Sequence, residues 1–353
     1  MSRTHRIGAA AFRVAGWVLF FLTALGLAGR YVHPRHAWWV QVPATFLPVL
    51  ALAGGAFAVV CVFQRRWVAA VLQATAPVIV ASRYAMWGLL LPAKAMPSYT
   101  LTLITYNAAA IESSIEAVRD LTAMVEAERP DIICLQEFAL HRSDTVVAEA
   151  LRPTLDSLGY SAEAFFVDRW SVTDQAVITR LPSDPPVALR TRRSRHARPP
   201  SMGMRSELTW RGRRFALYNL HLQSYTTFVP WQTGNLWSLR SWLQLVDEVR
   251  TSFLVRAEEA ETITRRIARE EVPVIVCGDL NSTPDHWVMA HLSERLPGRA
   301  VPSRRRATYP SDAPLVEIDY ILASADWTIG ERNTVAKLAS DHRAVRATLT
   351  LHR

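Results

Sequence analysis

Acidic residues are missing from the first 98 positions of this 353-residue chain, which hold nine arginines and lysines. The other 255 residues carry 31 basic and 31 acidic side chains, so the formal +9 belongs entirely to the N-terminal part. The high overall basicity is therefore no signature of a nucleic-acid-binding domain in the remainder. Cysteine is scarce. Cys61, Cys134 and Cys277 are too few and too scattered for a disulfide framework and fall in apolar runs, where inert core thiols are expected. The chain also has no phosphate-cradling glycine loop, no Gly-x-Ser-x-Gly and no His-Glu-x-x-His. Nucleoside-triphosphatase, serine-hydrolase and zinc-peptidase readings lose their support.

What the N-terminal part does have is apolar length. Val14–Gly29 is flanked by Arg13 and Arg30, and Ala37–Phe63 runs to Arg65 and Arg66. A third run, Trp67–Leu91, is interrupted by Gln73, Pro77 and Arg83. A spanning helix needs about 20 mostly apolar residues, so residues 1–91 are expected to be a membrane anchor of about three transmembrane helices. Arg83 must then face protein, water or an interface. Trp38, Trp39, Trp67 and Trp87 fall near the expected span ends, where amphipathic rings favour the headgroup layer. Arg3, Arg6 and Arg13 precede the first span and Arg65-Arg66 joins the second to the third, whereas the first loop holds only Arg30 and Arg35. The positive-inside rule places the N-terminus and the Arg65-Arg66 turn in the cytoplasm, and three crossings leave residues 99–353 outside it. Without the third crossing the same domain lies inside.

Residues 92–98, rich in proline and alanine, read as a linker, and residues 99–353 are long enough for one domain with a sizeable core. Strands are expected at Thr100–Tyr106, Asp131–Gln136, Ala176–Thr179, Arg205–Trp210, Phe215–His221, Pro273–Cys277, Ile318–Leu322 and Ala344–Leu351. Helices are expected at Ile111–Glu128, stopped by Pro130, at Asp144–Leu158 and at Ser241–Arg269, the last burying Leu245, Val249, Phe253 and Ile263. Mixed strands and helices without strict alternation point to an α+β sandwich.

The ends of these strands carry the chemistry. Asn107 follows Thr105-Tyr106, Glu137 follows Leu135-Gln136, and His221 follows Asn219-Leu220. Asp279 and Asn281 flank Leu280 after the turn at Gly278, Asp319 interrupts Ile318–Leu322, and Asp341 precedes His342. Carboxylates and amides without a thiolate or multi-histidine cluster suit a hard ion such as Mg²⁺ or Mn²⁺. Two histidines in carboxylate company suit proton transfer or stabilisation of a charged phosphorane-like state. Asp341, adjacent to His342, offers an acceptor that could hold that imidazole in one tautomer.

In order, Thr105-Tyr106-Asn107, Leu135-Gln136-Glu137, Asn219-Leu220-His221-Leu222, Gly278-Asp279-Leu280-Asn281, Ile318-Asp319-Tyr320 and Ser340-Asp341-His342 resemble the endonuclease/exonuclease/phosphatase superfamily, its deoxyribonuclease and sphingomyelinase branches in particular. The apolar N-terminal part is similar to that of bacterial membrane-anchored members. The resemblance implies a four-layer α/β/β/α sandwich over residues 99–353, in a bacterial inner or plasma membrane protein. It further implies a divalent-metal-dependent phosphoesterase acting by in-line attack of an activated water, on nucleic acid or a phospholipid headgroup. On this reading Glu137, assisted by Asn107, holds the metal. Asp279 orients or deprotonates the water, and Asn281 holds phosphate. His342, fixed by Asp341, acts on the phosphoryl group, and His221 assists phosphate binding or leaving-group protonation. Asp319 supports the site by orienting a histidine or touching the metal.

Two features depart from the pattern. Gln175 stands where relatives often carry an asparagine that contacts phosphate. Ser224–Trp242 looks like an insertion, with Tyr225, Phe228, Trp231, Trp237 and Trp242 either capping the core of the long helix or dipping into the bilayer. The arginines between Arg190 and Arg198, and Arg304-Arg305-Arg306, read as solvated loops or phosphate-binding patches. A catalytically silent, membrane-anchored binding protein on the same fold is the alternative function, and the intact motifs speak against it. No protein partner is inferable.

Overall fold

The computed structural model describes residues 3–84, 99–108, 115–138, 145–165, 175–191, 202–225, 237–300, 307–335 and 338–352. Two strand–helix–strand units frame the domain after residue 99. In the first, β1 (Leu101–Asn107) and β2 (Ile132–Gln136) are parallel and joined through α6 (Ile115–Glu128). Val118, Leu121, Met124 and Val125 recur at helical spacing on α6 and are buried together, and the chain leaves the helix at Arg129 with φ +40° before Pro130. In the second unit, β7 (Arg213–His221) and β8 (Val274–Asp279) are parallel and joined through α8 (Leu239–Ile267).

The remaining strands are β3 (Ser161–Phe165), β4 (Gln175–Thr179), β5 (Val187–Leu189), β6 (Met202–Trp210), β9 (Pro297–Ala300), β10 (Asp319–Thr334) and β11 (Val345–Leu351). They complete a mixed sheet in the order β3-β4-β2-β1-β11-β10-β8-β7-β6-β5, with β9 on β10. Three apolar clusters run through it. One packs β1, β2 and β4 against α6 and α7 (Thr145–Ser157), with Leu121, Leu151 and Tyr160 buried. The middle one joins both halves of the sheet, bringing Leu103, Cys134 and Val177 together with Phe215, Ile275, Cys277 and Trp327. The last packs β7 and β8 against α8 and α9 (Trp287–Arg295). The class is α+β, as expected. All three cysteines are free and buried.

Expected and observed strands agree to within a few residues, except that β10 is a bulged strand far longer than Ile318–Leu322. The strands β3, β5 and β9 and the helix α9 were not anticipated. The start of the first expected helix, at 111–114, lies outside the described residues, as do 226–236, 192–201 and 301–306, which hold most of the aromatic insertion and the arginine runs. On α8, Phe253 and Ile263 are buried as expected, but Leu245 and Val249 are only half-buried.

Residues 3–84 are almost wholly helical: α1 (Arg3–Ala28), α2 (Pro34–Ala37), α3 (Gln41–Thr45), α4 (Leu47–Phe63) and α5 (Trp67–Tyr84). Among the described residues, one helix, Gly8–Tyr31, is long and apolar enough to cross a membrane. The second expected span is a bent pair, Pro34–Thr45 and Leu47–Phe63, meeting at 57°. The third is a shorter apolar helix, Trp67–Arg83, and residues 85–91 lie outside the described residues.

The helical part is docked on the second strand–helix–strand unit. Gln41, fully buried, donates from Nε2 to the carbonyls of Gly29 and Val32 (both 2.9 Å) and accepts the Trp287 N–H at its Oε1 (3.1 Å). Arg83 donates to Asp285 at 2.8 Å, and His33 lies 3.1 Å from Glu261. Arg83 thus faces protein, one of the solutions open to an arginine in an apolar helix.

Candidate active site

The sheet brings the functional side chains to one edge. Parallel strands β1, β2, β7 and β8 all end there, so Asn107, Glu137, His221 and Asp279 are gathered from four carboxyl ends. His221 and Asp279 are register partners, and antiparallel β10 starts at the same level with Asp319 paired to Asp279. Antiparallel to β1, β11 starts from this edge just after His342, with Val345 paired to Thr105.

Glycine is obligatory in the β8 turn. Gly278 has φ +131°, and a Cβ there would lie 1.9 Å from the Leu220 carbonyl oxygen, so β7 and β8 could not approach as closely with any other residue. Asn281 follows at φ +46° and Glu137 at φ +48°, both in the left-handed region. Strained backbone at two side chains of one pocket is held by the packing around it.

Asp279 is the centre of the constellation and is buried. Its Oδ2 accepts from Asn107 Nδ2 at 3.0 Å and lies 3.9 Å from His221 Nε2 and 3.8 Å from His342 Nε2. Its Oδ1 accepts the Asn281 N–H at 2.8 Å. Asn107 Nδ2 also donates to Glu137 Oε1 at 3.0 Å, tying two carboxylates together. Burial pushes the Asp279 carboxyl up, His342 pulls it back, and Asp319 pushes it up again. For His342, burial alone would lower the imidazole, yet Asp319 and Asp279 carry it up to about 10.

The partner of His342 differs from the expected one. Nδ1 lies 3.2 and 3.1 Å from the two oxygens of Asp319, whose side chain is 1% exposed. Asp341 reaches only to 4.0 Å of Nε2 and is 56% exposed. The Asp341 carboxylate stays mostly in water on the Nε2 side of the ring, and β10 delivers Asp319 to Nδ1 instead. The turn is fixed by Ser340, which donates to the Asn107 carbonyl at 2.7 Å and accepts the His342 N–H at 3.0 Å. Asn281 likewise has its amide engaged, donating to the Leu222 carbonyl at 3.0 Å and to Asp279 at 3.3 Å, so in this structure it props the Asp279 turn. Gln175 is buried beside Gln136. Its Nε2 donates to the Met202 carbonyl at 3.4 Å and its Oε1 has no partner among the described residues.

Other residues at the site were not singled out from sequence. Beneath it, Gln136 donates to Asn219 at 2.7 Å, and Asn219 donates to the carbonyls of Leu135 and Ala176, stitching the two sheet halves through a buried polar bridge. Both lie inside the quoted motifs, Gln136 one position before Glu137 and Asn219 two before His221. The Tyr309 ring sits 5.0 Å from the His342 ring. Arg256 is fully buried on α8 between the rings of Tyr225 and Phe253, and burial lowers its guanidinium. An arginine in register with Phe253, Ala260 and Ile263 was its sequence signal. His286 is buried. Its Nδ1 accepts the Thr283 N–H at 3.1 Å, so Nε2 carries the proton toward the Gln41 carbonyl (3.2 Å) and the Thr45 hydroxyl (3.0 Å). Burial, reinforced by Arg256, drops its pKa to about 3, so this link between anchor and catalytic turn is neutral.

Among the described residues, two groups have the spacing of a metal site, Glu137/His221/Asp279 and Asp279/Asp319/His342, each with ligand atoms within 4.8 Å of one another. A cation suits the first. His221 Nε2 is buried without a hydrogen-bond partner among the described residues, 3.5 Å from Glu137 Oε1, and the other donors are hard carboxylate oxygens. In the second group, His342 Nδ1 is already committed to Asp319.

Carboxylates gathered at the ends of a mixed sheet and two ligand triads sharing one aspartate support, with the family match, a metal-dependent hydrolase of phosphoester bonds. The profile of the Endonuclease/Exonuclease/phosphatase family matches residues 104–342, most of the chain, and the chain belongs to that family. Similar solved structures include humanized D. rerio TDP2 (16% identity, TM-score 0.49, covering 71% of this chain and 99% of that one). The human Nocturnin catalytic domain with bound sulfate is similar at 18% identity and TM-score 0.47, covering 71% and 94%. An endonuclease/exonuclease/phosphatase from Bacteroides vulgatus is similar at 16% identity and TM-score 0.49, covering 72% and 100%. No curated protein matches the chain.

Proposed function

We propose that this protein is a membrane-anchored, Mg²⁺- or Mn²⁺-dependent phosphodiesterase, with a four-layer α/β/β/α catalytic domain on the extracytoplasmic side of a bacterial inner or plasma membrane. The observation that carries the catalytic reading is Asp279, buried and shared between a cation-accepting triad and a histidine oriented by Asp319. Glu137, His221 and Asp279, with Asn107 clamping both carboxylates, would hold the cation. When bound, the cation neutralises charge developing on a non-bridging phosphoryl oxygen. Asp279 takes the proton of the attacking water, and its hydrogen bonds from Asn107 and Asn281 fix the lone pair that does so. His342, held through Nδ1 by Asp319, presents Nε2–H to the phosphoryl group. Gln175 borders the same edge and contributes to the substrate subsite.

Several features support the anchor. Val14, Trp17, Phe21, Leu52, Phe63 and Val68 are exposed apolar side chains on α1, α4 and α5. Arg66 stacks on the Phe12 ring 5.0 Å away, so the Arg65-Arg66 turn lies beside the beginning of α1. Gly29, Thr45 and Arg83 all meet the catalytic domain at the other end. A three-helix arrangement with Arg13 and the Arg65-Arg66 turn at one end and the domain at the other fits three crossings and the positive-inside rule.

Activity on a chromogenic phosphodiester tests the reading, using the full chain purified in detergent. EDTA should abolish turnover and Mg²⁺ or Mn²⁺ restore it, with Glu137→Gln losing both activity and metal affinity. Undiminished turnover of Glu137→Gln in chelator sinks the assignment. A panel of DNA, RNA, sphingomyelin and glycerophospholipids then separates the nucleic-acid from the headgroup substrates.

A further inference from the structure

Helix α8 changes character at Ser252. From there to Ile267 its apolar stripe of Phe253, Ala257, Ala260, Ile263 and Ile267 is buried. Before it, Leu239, Trp242, Leu243 and Val246 continue the helical spacing but are exposed, and Trp237 just ahead of the helix is 98% exposed. Gln244 and Glu248, hydrogen-bonded to each other at 2.9 Å, occupy the opposite, polar face.

The hydrogen bonds of α8 fix its height relative to the active-site mouth. Gln223, two residues past His221, donates its N–H to Glu259 at 3.0 Å and offers its carbonyl to Arg256 at 2.7 Å. One turn further up, Ser252 donates to the Tyr225 carbonyl. The mouth is therefore level with residues 252–259, and the turns from Leu239 to Thr251 rise roughly 20 Å past it. The helical N-terminal part joins at the same end, where Thr45 lies 3.3 Å from the Tyr225 hydroxyl and 3.0 Å from His286. At this junction Trp39, Val42 and Phe46 are exposed as well. Two apolar surfaces from distant parts of the chain thus flank one side of the mouth.

We propose that the N-terminal turns of α8 are a second membrane contact. Trp237, Leu239, Trp242, Leu243 and Val246 rest in the boundary between headgroups and acyl chains of the leaflet that receives α1 and α4, and the active-site mouth opens along that leaflet's surface. The occupant is lipid because the stripe begins beside the junction where Thr45 meets Tyr225, and the helices beyond that junction leave their own apolar faces uncovered. This inference rests on the membrane-anchor reading of residues 1–91.

The test places one nitroxide at a time in the full chain in lipid nanodiscs, using Leu243→Cys, Val246→Cys, Glu248→Cys and, on α4, Leu52→Cys; the native cysteines are buried. Collision with oxygen and with a water-soluble nickel chelate is read for each. Labels at 243, 246 and 52 should favour oxygen, and the label at 248 should favour nickel by several-fold. Nickel preference at 243 and 246 with oxygen preference at 52 overturns the second contact and leaves the anchor standing. Nickel preference at 52 overturns the anchor itself, and this inference with it.

Discussion

Asp279 sits where Asn107, Asn281, His221 and His342 converge on one buried carboxylate, and that crowding predicts how its neighbours behave. Because Asp319 rather than Asp341 meets Nδ1 of His342, Asp319→Asn should lower kcat by roughly 10²–10⁴-fold, as should His342→Ala and Asp279→Ala. Asp341→Asn should cost less than about tenfold, since its carboxylate is mostly in water. Steady-state kinetics on a chromogenic diester, with melting temperatures as a check on folding, decides it; equal losses would return the orienting role to Asp341. The raised pKa of His342 also has a stability signature in metal-free protein. The imidazole is near 6.5 when unfolded and about 10 when folded. Its protonated form therefore stabilises the fold fully below about pH 6.5, and that contribution disappears as pH rises through about 10. Denaturant midpoints in EDTA should fall between those limits, and His342→Gln should flatten the slope. An unchanged slope in that variant assigns the pH dependence elsewhere.

At the level of elements, the tightest constraint is the close approach of the parallel strands β7 and β8 at Gly278. Gly278→Ala must open the 1.9 Å approach to Leu220 or unwind the turn that carries Asp279, so a loss of at least about 3 kcal/mol is expected. Chemical denaturation measures it, and a loss under about 1 kcal/mol would mean the sheet relaxes freely there. Much of this framework was legible from strand-end motifs, because a polar residue closing a buried β-branched run has few places to go but a sheet edge. What stayed hidden depends on long-range pairing. The Asp319–His342 contact needs the register of β10 on β8, which local sequence does not carry. The bulged continuation of β10 and the short strands β5 and β9 follow from neighbours rather than from their own patterns. Leu245 and Val249 match a buried stripe by spacing, yet they lie in the half of α8 before Ser252, where the apolar stripe is largely exposed.

For the whole molecule, the Arg65-Arg66 turn lies at the end of the helical part away from the domain, and on the anchor reading that arrangement is a prediction about sidedness. Alkaline phosphatase fused after Arg353 should be active in a bacterial host, and a fluorescent protein at the same position dark; the reverse pair of results places the domain in the cytoplasm. The junction between bundle and domain is built from buried polar contacts. Gln41 holds the Trp287 N–H, Arg83 holds Asp285, and His286 reaches Gln41 and Thr45. All three acceptor or donor positions on the domain side lie within eight residues of Asp279. A polypeptide starting at residue 99 would lay those groups bare, with an ion pair halved and a neutral histidine opened to protonation. The segment that follows the Asp279 turn thus keeps its buried partners only while residues 29–83 pack against it, and losing them would loosen the stretch of chain next to the central carboxylate.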